Sequence, residues 1–117
     1  MWRDEALLLD MKLAAGDALG FVEGMDQMQF NASKLHQAAV VRCLGIIGEA
    51  AIKVSRGFRD AHPEIASREI VGMLHRLIHD YTDVRLDIVW SVVQDELPGL
   101  VAAVQPLIPP PDAEPRL

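Results

Sequence analysis

The apolar residues of this chain recur at steps of three and four over most of its length, which is typical of amphipathic helices. The first such stretch ends near Gly24 and the polar segment 26–31, so the pattern predicts one helix followed by a connecting loop. Its apolar positions are Leu8, Met11, Ala15, Ala18, Val22 and Met25.

A longer second helix is predicted to begin after Ser33, a residue type that suits the N-cap, and to run to about Phe58. Gly45 and Gly48 would allow a neighbouring helix to approach closely, although each costs about 1 kcal/mol of helix stability relative to alanine. The stripe expected to be buried comprises Leu35, Ala39, Ile46, Ala50 and Val54.

Two further helices follow the break at residues 60–63. Ser67 is a candidate N-cap for a short third helix that ends near His79. The fourth helix begins near Asp87, and Pro98 is expected to bend it rather than end it, because proline removes one backbone hydrogen bond. Its apolar positions are Leu86, Val89, Val93, Leu97, Leu100, Val104 and Leu107.

Three consecutive prolines, at positions 109–111, are expected to end regular structure. The sequence has no internal repeat and no alternating pattern of useful length for a β-strand. We therefore predict an all-α fold, a four-helix bundle with a short third helix. Residues 1–108 would form the helical domain and residues 109–117 a flexible tail.

Composition and charge narrow the function classes. Half of the residues are apolar and about a quarter are charged, as in a globular protein, and the formal net charge is −6. This acidic balance argues against a protein that binds long nucleic acid by bulk electrostatics. A local basic zone for RNA contact and an ordinary mixed-charge surface both remain open for the basic residues in the middle of the chain. These are Arg42, Lys53, Arg56, Arg59, Arg68, Arg76 and Arg85.

The sequence also indicates a cytoplasmic protein that does not span a membrane. Its uninterrupted apolar runs are much shorter than the roughly 18 residues needed to cross a bilayer. The first residues lack the basic and apolar pattern of a secretion signal. Cys43 is the single cysteine and cannot form an internal disulfide, which favours a reducing compartment.

Candidate chemistry is concentrated in the segment 72–81, which reads GMLHRLIHDY. His75 and His79 are four positions apart, so on a helix they lie on the same face. Histidine can act as both acid and base near neutral pH. A metal pair completed by Asp83 is the alternative, but the glutamate that metalloproteases place between the histidines is missing. We therefore predict no metal and no other cofactor.

Three segments, in this order, resemble the HepT-like branch of the HEPN family: residues 42–51, residues 72–81, and residues 86–90 with 95–98. The resemblance extends over residues 3 to 107. It implies a HEPN-type four-helix bundle that forms a homodimer and acts as a metal-independent endoribonuclease on RNA, not DNA. It further implies the toxin of a type VII-like toxin–antitoxin pair, whose antitoxin is a minimal nucleotidyltransferase.

The family motif is an arginine, a polar residue, three further positions, a histidine, any residue and a tyrosine. On this chain the resemblance places the catalytic histidine at His79, the polar helper at His75 and the tyrosine at Tyr81. In the family, the antitoxin attaches AMP to this tyrosine and so masks the RNA site. The arginine position is occupied by Leu74, which cannot stabilise the negative charge that develops on the phosphate.

Leu74 therefore predicts an attenuated ribonuclease, and a catalytically inactive helical dimer that binds a nucleotidyltransferase is the alternative. Other arginines are candidates for contact with RNA, namely Arg76, Arg68 and Arg42. Arg68 and His75, seven positions apart, also fit a looser version of the motif on one helix face. The residues that flank His79 favour the first register.

Overall fold

The structure, a computed structural model, describes residues 2–65, Gly72, Leu74, Arg76 and residues 85–109. These residues are helical or lie in connecting turns, with no strand among them, so the predicted all-α bundle is confirmed. The helices are α1 (Trp2–Phe21), α2 (Gln27–Asn31), α3 (Lys34–Lys53), α4 (Arg56–Ala61), α5 (Leu86–Ser91) and α6 (Leu97–Val104). A π-helical turn, Val92–Glu96, joins α5 to α6, and a 3₁₀ turn, Gln105–Leu107, follows α6.

The bundle is organised around α1 and α3, which are 20 residues and therefore about 30 Å long. They run antiparallel, because the first turn of α1 contacts the end of α3. Helix α6 packs against α1, while α2 lies between α3 and α5. The most completely buried large side chains are Leu8, Met11, Phe30, Val40, Leu44, Ile47, Ile65, Val89, Val93 and Val104.

The apolar face predicted for α1 is confirmed from Leu8 to Val22. The predicted loop after it instead contains the short helix α2. Asp26 caps this helix, since its carboxylate accepts a hydrogen bond from the Gln29 amide at 2.8 Å and its own amide donates to Gln29 Oε1 at 2.9 Å. Gly24 has a φ of +79°, a conformation that favours glycine, and it turns the chain between the two helices.

Helix α3 begins as predicted, because the Ser33 hydroxyl accepts a hydrogen bond from the His36 amide at 3.3 Å. The prediction that it continues to Phe58 is wrong. Val54 and Ser55 adopt extended backbone, and Ser55 caps the separate helix α4.

The predicted stripe of α3 is partly wrong. Leu35 and Ile46 are 76% and 38% exposed, whereas Ala50 and Val54 are buried as expected. Besides Ala50, the side chains of this helix that enter the core are Val40, Cys43, Leu44, Ile47 and Ala51. The apolar face that packs is therefore rotated relative to the predicted one.

By length and composition, α3 could also cross a membrane. Much of its apolar surface is used inside the bundle, and its outer face carries the exposed charges of Arg42 and Glu49. The central helix of a bundle can have the same length and composition, because it must be apolar where it packs.

The last helical region is continuous across Pro98, as predicted. The proline follows the π-helical turn, in which the Leu97 amide donates to the Val92 carbonyl, five residues earlier. Buried apolar side chains on both sides of the turn face the core. Trp90 of α5 contacts the buried Phe30 ring, with ring centroids 5.4 Å apart, so α5 also holds α2 in place.

Asp4, a nearly buried residue at 8% exposure, ties the start of α1 to the start of α4. Its two carboxylate oxygens accept hydrogen bonds from the Ser55 amide at 2.8 Å and the Ser55 hydroxyl at 2.6 Å. Burial by itself would raise the pKa of Asp4, but the two bonds from Ser55, together with nearby positive charge that includes Arg3, lower the pKa below its ordinary value of 3.8.

We expect Asp4→Ala to reduce the free energy of unfolding by about 1.5–3 kcal/mol, because two bonds to a charged acceptor are lost. The difference from the unsubstituted chain should shrink as the pH falls below 3.8, since a carboxyl with a lowered pKa stabilises only while it is ionised. Urea unfolding at pH 7 and pH 3 measures both effects. Asp10→Ala, at an exposed position of the same helix, is the control, and an equal loss there would contradict the role of Asp4.

Candidate active site

The structure describes part of the segment 72–81. Gly72, Leu74 and Arg76 are helical, in agreement with the predicted third helix, and Leu74 is 2% exposed while Arg76 is exposed. The remaining predicted residues of the site lie outside the described residues, as does the proposed N-cap of this helix. They are Ser67, Arg68, His75, His79, Tyr81 and Asp83.

Leu74 lies on the wall of a groove of about 260 Å³. Helix α3 contributes Ile47 and Ala51 to this groove, the segment after α4 contributes Ile65, and the last helical region supplies the remaining wall. The apolar residues that line it are Ile47, Ala51, Ile65, Leu74, Val92, Leu97, Leu100 and Ala103. The side chain at the motif position is thus part of the apolar packing between three segments of the bundle.

Three carboxylates line the same groove, from Glu64, Asp95 and Glu96. Asp95 and Glu96 belong to the π-helical turn, and Asp95 accepts a hydrogen bond from the Ser91 hydroxyl at 3.0 Å. Sequence reasoning missed this acidic group. Glu64 is about 30 positions away from the other two in the chain, so only the tertiary fold brings them together.

The other predicted basic residues differ in their surroundings. Arg42 is exposed on the outer face of α3. Arg85 pairs with Asp87 at 3.0 Å, and the hydrogen bonds from Arg85 lower the pKa of the Asp87 carboxyl. Asp87 lies in the first turn of α5, where its negative charge was expected. Arg42 and Arg76 are therefore exposed to solvent and open to contact with a phosphate.

The two histidines that the structure describes have structural contacts. His36 Nδ1 lies 2.6 Å from the Ser33 hydroxyl at the start of α3. His62 stacks against Phe58, with ring centroids 4.7 Å apart, and its Nδ1 lies 3.5 Å from a carboxylate oxygen of Glu64. Neither arrangement resembles the pair that the sequence places at positions 75 and 79.

The described residues give no support to a reactive cysteine or to a metal site. Cys43 is buried, and burial raises the pKa of its thiol, with Asp17 adding to the effect and Arg42 opposing it. The thiol is therefore a poor nucleophile at neutral pH. Within the described ranges, no three histidine, cysteine or acidic side chains are placed to hold a metal ion.

Comparison of the sequence with known protein families identifies a family of ribonucleases. Residues 11–107 match the family described as "Ribonuclease HepT-like", and this match includes the whole segment 72–81. The chain belongs to the HepT-like ribonuclease family, as the sequence resemblance predicted.

Individual relatives agree with this assignment. The chain is 34% identical over 104 residues to "Putative RNase MJ0125" of Methanocaldococcus jannaschii, which covers 89% of this chain and 90% of the relative. It is 41% identical over 71 residues to "Probable ribonuclease HepT" of Thermococcus cleftensis, which covers 61% of this chain and 64% of that protein. The comparison with solved structures gave no significant match.

Proposed function

We propose that this protein is a metal-independent endoribonuclease and the toxin of a type VII-like toxin–antitoxin pair, with activity attenuated at Leu74. The observation that carries the proposal is the family match over residues 11–107, a range that includes His75, His79 and Tyr81, which the sequence resemblance assigns to the motif positions. The relatives whose names describe them as RNases match over the greater part of the chain.

The proposed chemistry needs a base for the ribose 2′-hydroxyl and an acid for the departing 5′-oxygen. His79 is the acid/base residue in this scheme, and His75 contacts the substrate on the same helix face. Cleavage transfers the phosphorus from the 5′-oxygen to the 2′-oxygen, with one proton removed and one delivered. We propose that the cleft is completed by a second copy of the chain in a homodimer.

The attenuation follows from the surroundings of Leu74. Its side chain is apolar and 2% exposed, so it contributes packing to the groove and no positive charge. Arg76 is exposed two positions further on, which on a helix is a different face. Loss of one preorganised group that stabilises the transition state typically lowers the rate by about 10²- to 10³-fold.

The test is cleavage of a mixed RNA pool by the purified full-length chain in excess EDTA. Cleavage that persists without divalent metal would support the proposal. If the folded dimer cuts no RNA at any enzyme concentration, in EDTA or in magnesium, the ribonuclease proposal is wrong.

A second candidate is favoured by Leu74 alone: a catalytically inactive helical dimer that binds a nucleotidyltransferase. In this case the apolar residues of the groove wall, Leu74 among them, would serve packing and not catalysis. It predicts a stable complex with the nucleotidyltransferase and no cleavage of any RNA. The EDTA assay therefore separates the two candidates directly.

The antitoxin part of the proposal concerns Tyr81. Incubation with a minimal nucleotidyltransferase and ATP is expected to add AMP to Tyr81, with loss of pyrophosphate and a mass gain of one adenylyl group. Intact-mass and peptide mass spectrometry measure this addition. Because Tyr81 is the only tyrosine in the chain, Tyr81→Phe should remain unmodified. Modification of that variant to the same extent would contradict the assignment.

A further inference from the structure

The basic residues in the middle of the sequence do not form a single surface patch. Arg85 is paired with Asp87, and Arg42 lies 11 residues before Lys53 on α3, a distance of about 16 Å along the helix. Lys53, Arg56 and Arg59 instead follow one another at the corner where α3 ends and α4 begins. We call these three residues, together with Arg3, the α3–α4 corner.

The positive charge of this corner comes from four cations, and the carboxylates that adjoin them include Asp4, which is bonded to Ser55, and Asp60, which follows Arg59. Residues 53–59 contain three cations and no carboxylate, in a chain that has 11 basic and 17 acidic residues. Lys53 and Arg56 are exposed, and within the described part of the chain neither has an ion pair with an acidic side chain. Their ammonium and guanidinium groups are therefore open to an anion from solvent.

Arg59 is held in place by the end of α3. Its Nη2 donates to the carbonyl of Ile52 at 2.6 Å and lies 3.4 Å from the carbonyl of Ala51. These bonds fix the guanidinium at the corner without neutralising its charge, because both acceptors are uncharged. The exposed Asp60 is the acidic residue that adjoins this stretch in the sequence.

Arg3 lies near the corner because the next residue, Asp4, is hydrogen-bonded to Ser55. Asp4 accepts two hydrogen bonds from Ser55, which lies between Lys53 and Arg56 in the sequence. The backbone of Arg3 is one residue from this contact, about 3.8 Å between Cα atoms, and its side chain is exposed. The fold thus adds a cation from the start of α1 to the three from α3 and α4.

We propose that the α3–α4 corner binds the phosphate backbone of single-stranded RNA. The inference rests on the proposed ribonuclease function, and it concerns residues that the motif does not contain. An acidic protein repels RNA overall, so binding needs a local surface on which several cations contact successive phosphates and release their counterions. The corner provides such a surface, and it requires no particular base.

The experiment measures binding of a fluorescent 20-nucleotide 2′-O-methyl RNA by anisotropy at several salt concentrations. This probe cannot be cleaved through the 2′-oxygen, so binding is measured separately from catalysis. The double variant Lys53→Glu/Arg56→Glu is expected to bind at least tenfold more weakly. Its slope of log K against log salt should fall by about 1.4, since each lost phosphate contact of a single strand contributes about 0.7.

The matched control is Lys12→Glu/Lys34→Glu, which changes the formal net charge by the same amount on α1 and at the opposite end of α3. It should retain the affinity to within about threefold and the same salt slope. Lys53→Gln/Arg56→Gln, which removes charge without reversing it, should give an intermediate affinity, and circular dichroism checks that each variant is folded.

The proposal is overturned if the corner variants bind as well as the unsubstituted chain, or if the control loses as much affinity as they do. Failure of the ribonuclease proposal is distinguishable from this outcome. It would appear as no cleavage of unmodified RNA while binding of the probe, and its dependence on the corner, persists.

Discussion

Replacement of His79 with alanine is expected to lower the rate of RNA cleavage by about 10²- to 10⁴-fold, the range typical for removal of a general acid or base. The physical reason is that the 2′-hydroxyl must lose its proton as it attacks, and water is a much weaker base than imidazole. Initial rates on a labelled RNA, with and without EDTA, measure the change. His75→Ala should have a smaller effect, mainly on KM, because its proposed role is contact with the substrate.

The matched control is His36→Ala. This histidine contacts Ser33 at the start of α3 and is not part of the motif in the sequence, so its replacement should leave the cleavage rate unchanged. If His79→Ala and the unsubstituted chain cleave at the same rate, the catalytic assignment is wrong, and the activity would have to come from another part of the protein or from a contaminant.

Replacement of Leu74 with arginine is expected to raise the cleavage rate by about 10²- to 10³-fold, which is the amount that one transition-state cation commonly contributes. The groove beside Leu74 is about 260 Å³, and this space allows a longer side chain to extend from a buried position. Carboxylates of Glu64, Asp95 and Glu96 line the same groove and would lower the cost of placing a guanidinium there.

Two other substitutions at this position separate charge from size. Leu74→Met keeps an apolar side chain of similar volume and should leave the rate unchanged. Leu74→Lys supplies a charge without the paired geometry of a guanidinium and should recover less activity than arginine. If Leu74→Arg folds and dimerises normally but cleaves no faster, the absence of a cation at position 74 does not limit the rate. The motif register that includes Arg68 would then be favoured.

Much of the fold could be predicted from the spacing of apolar residues. Helix α1 and the continuous helical region from α5 to α6 were recognisable because their buried positions recur at helical steps over two or more turns. Helix α2 was missed because a periodic pattern needs more residues than the five it contains. Its buried Phe30 could be placed only by its contact with Trp90, which is distant in the sequence.

Helix α3 shows why the predicted core was rotated. It has apolar residues on several faces, and the sequence alone does not indicate which face meets α1. Packing leaves Leu35 and Ile46 exposed and buries Val40, Leu44 and Ile47 instead. The end of this helix was also misplaced, since Val54 and Ser55 adopt extended backbone where Ser55 is bonded to Asp4, 51 residues earlier.

The candidate site was predictable to the extent that its residues are close in sequence. The family motif assigned roles to His75, His79 and Tyr81, and it identified Leu74 as the departure from the pattern. The burial of Leu74 and the carboxylates beside it depend on three separate segments meeting in space. The division of the basic residues between a paired Arg85 and an open α3–α4 corner likewise required the fold.

The bonds between Asp4 and Ser55 also couple the local unfolding of the first turn of α1 to that of α4. The Ser55 amide is protected only while the first turn of α1 is docked, so local unfolding of that turn and loosening of α4 form one cooperative event. The Ser55 hydroxyl caps α4 by accepting a bond from the Phe58 amide within the same segment, whereas its bond to Asp4 can form only after α1 and α3 have paired. The long-range contact therefore brings Arg3 beside the three cations of residues 53–59 only when the two longest helices have joined.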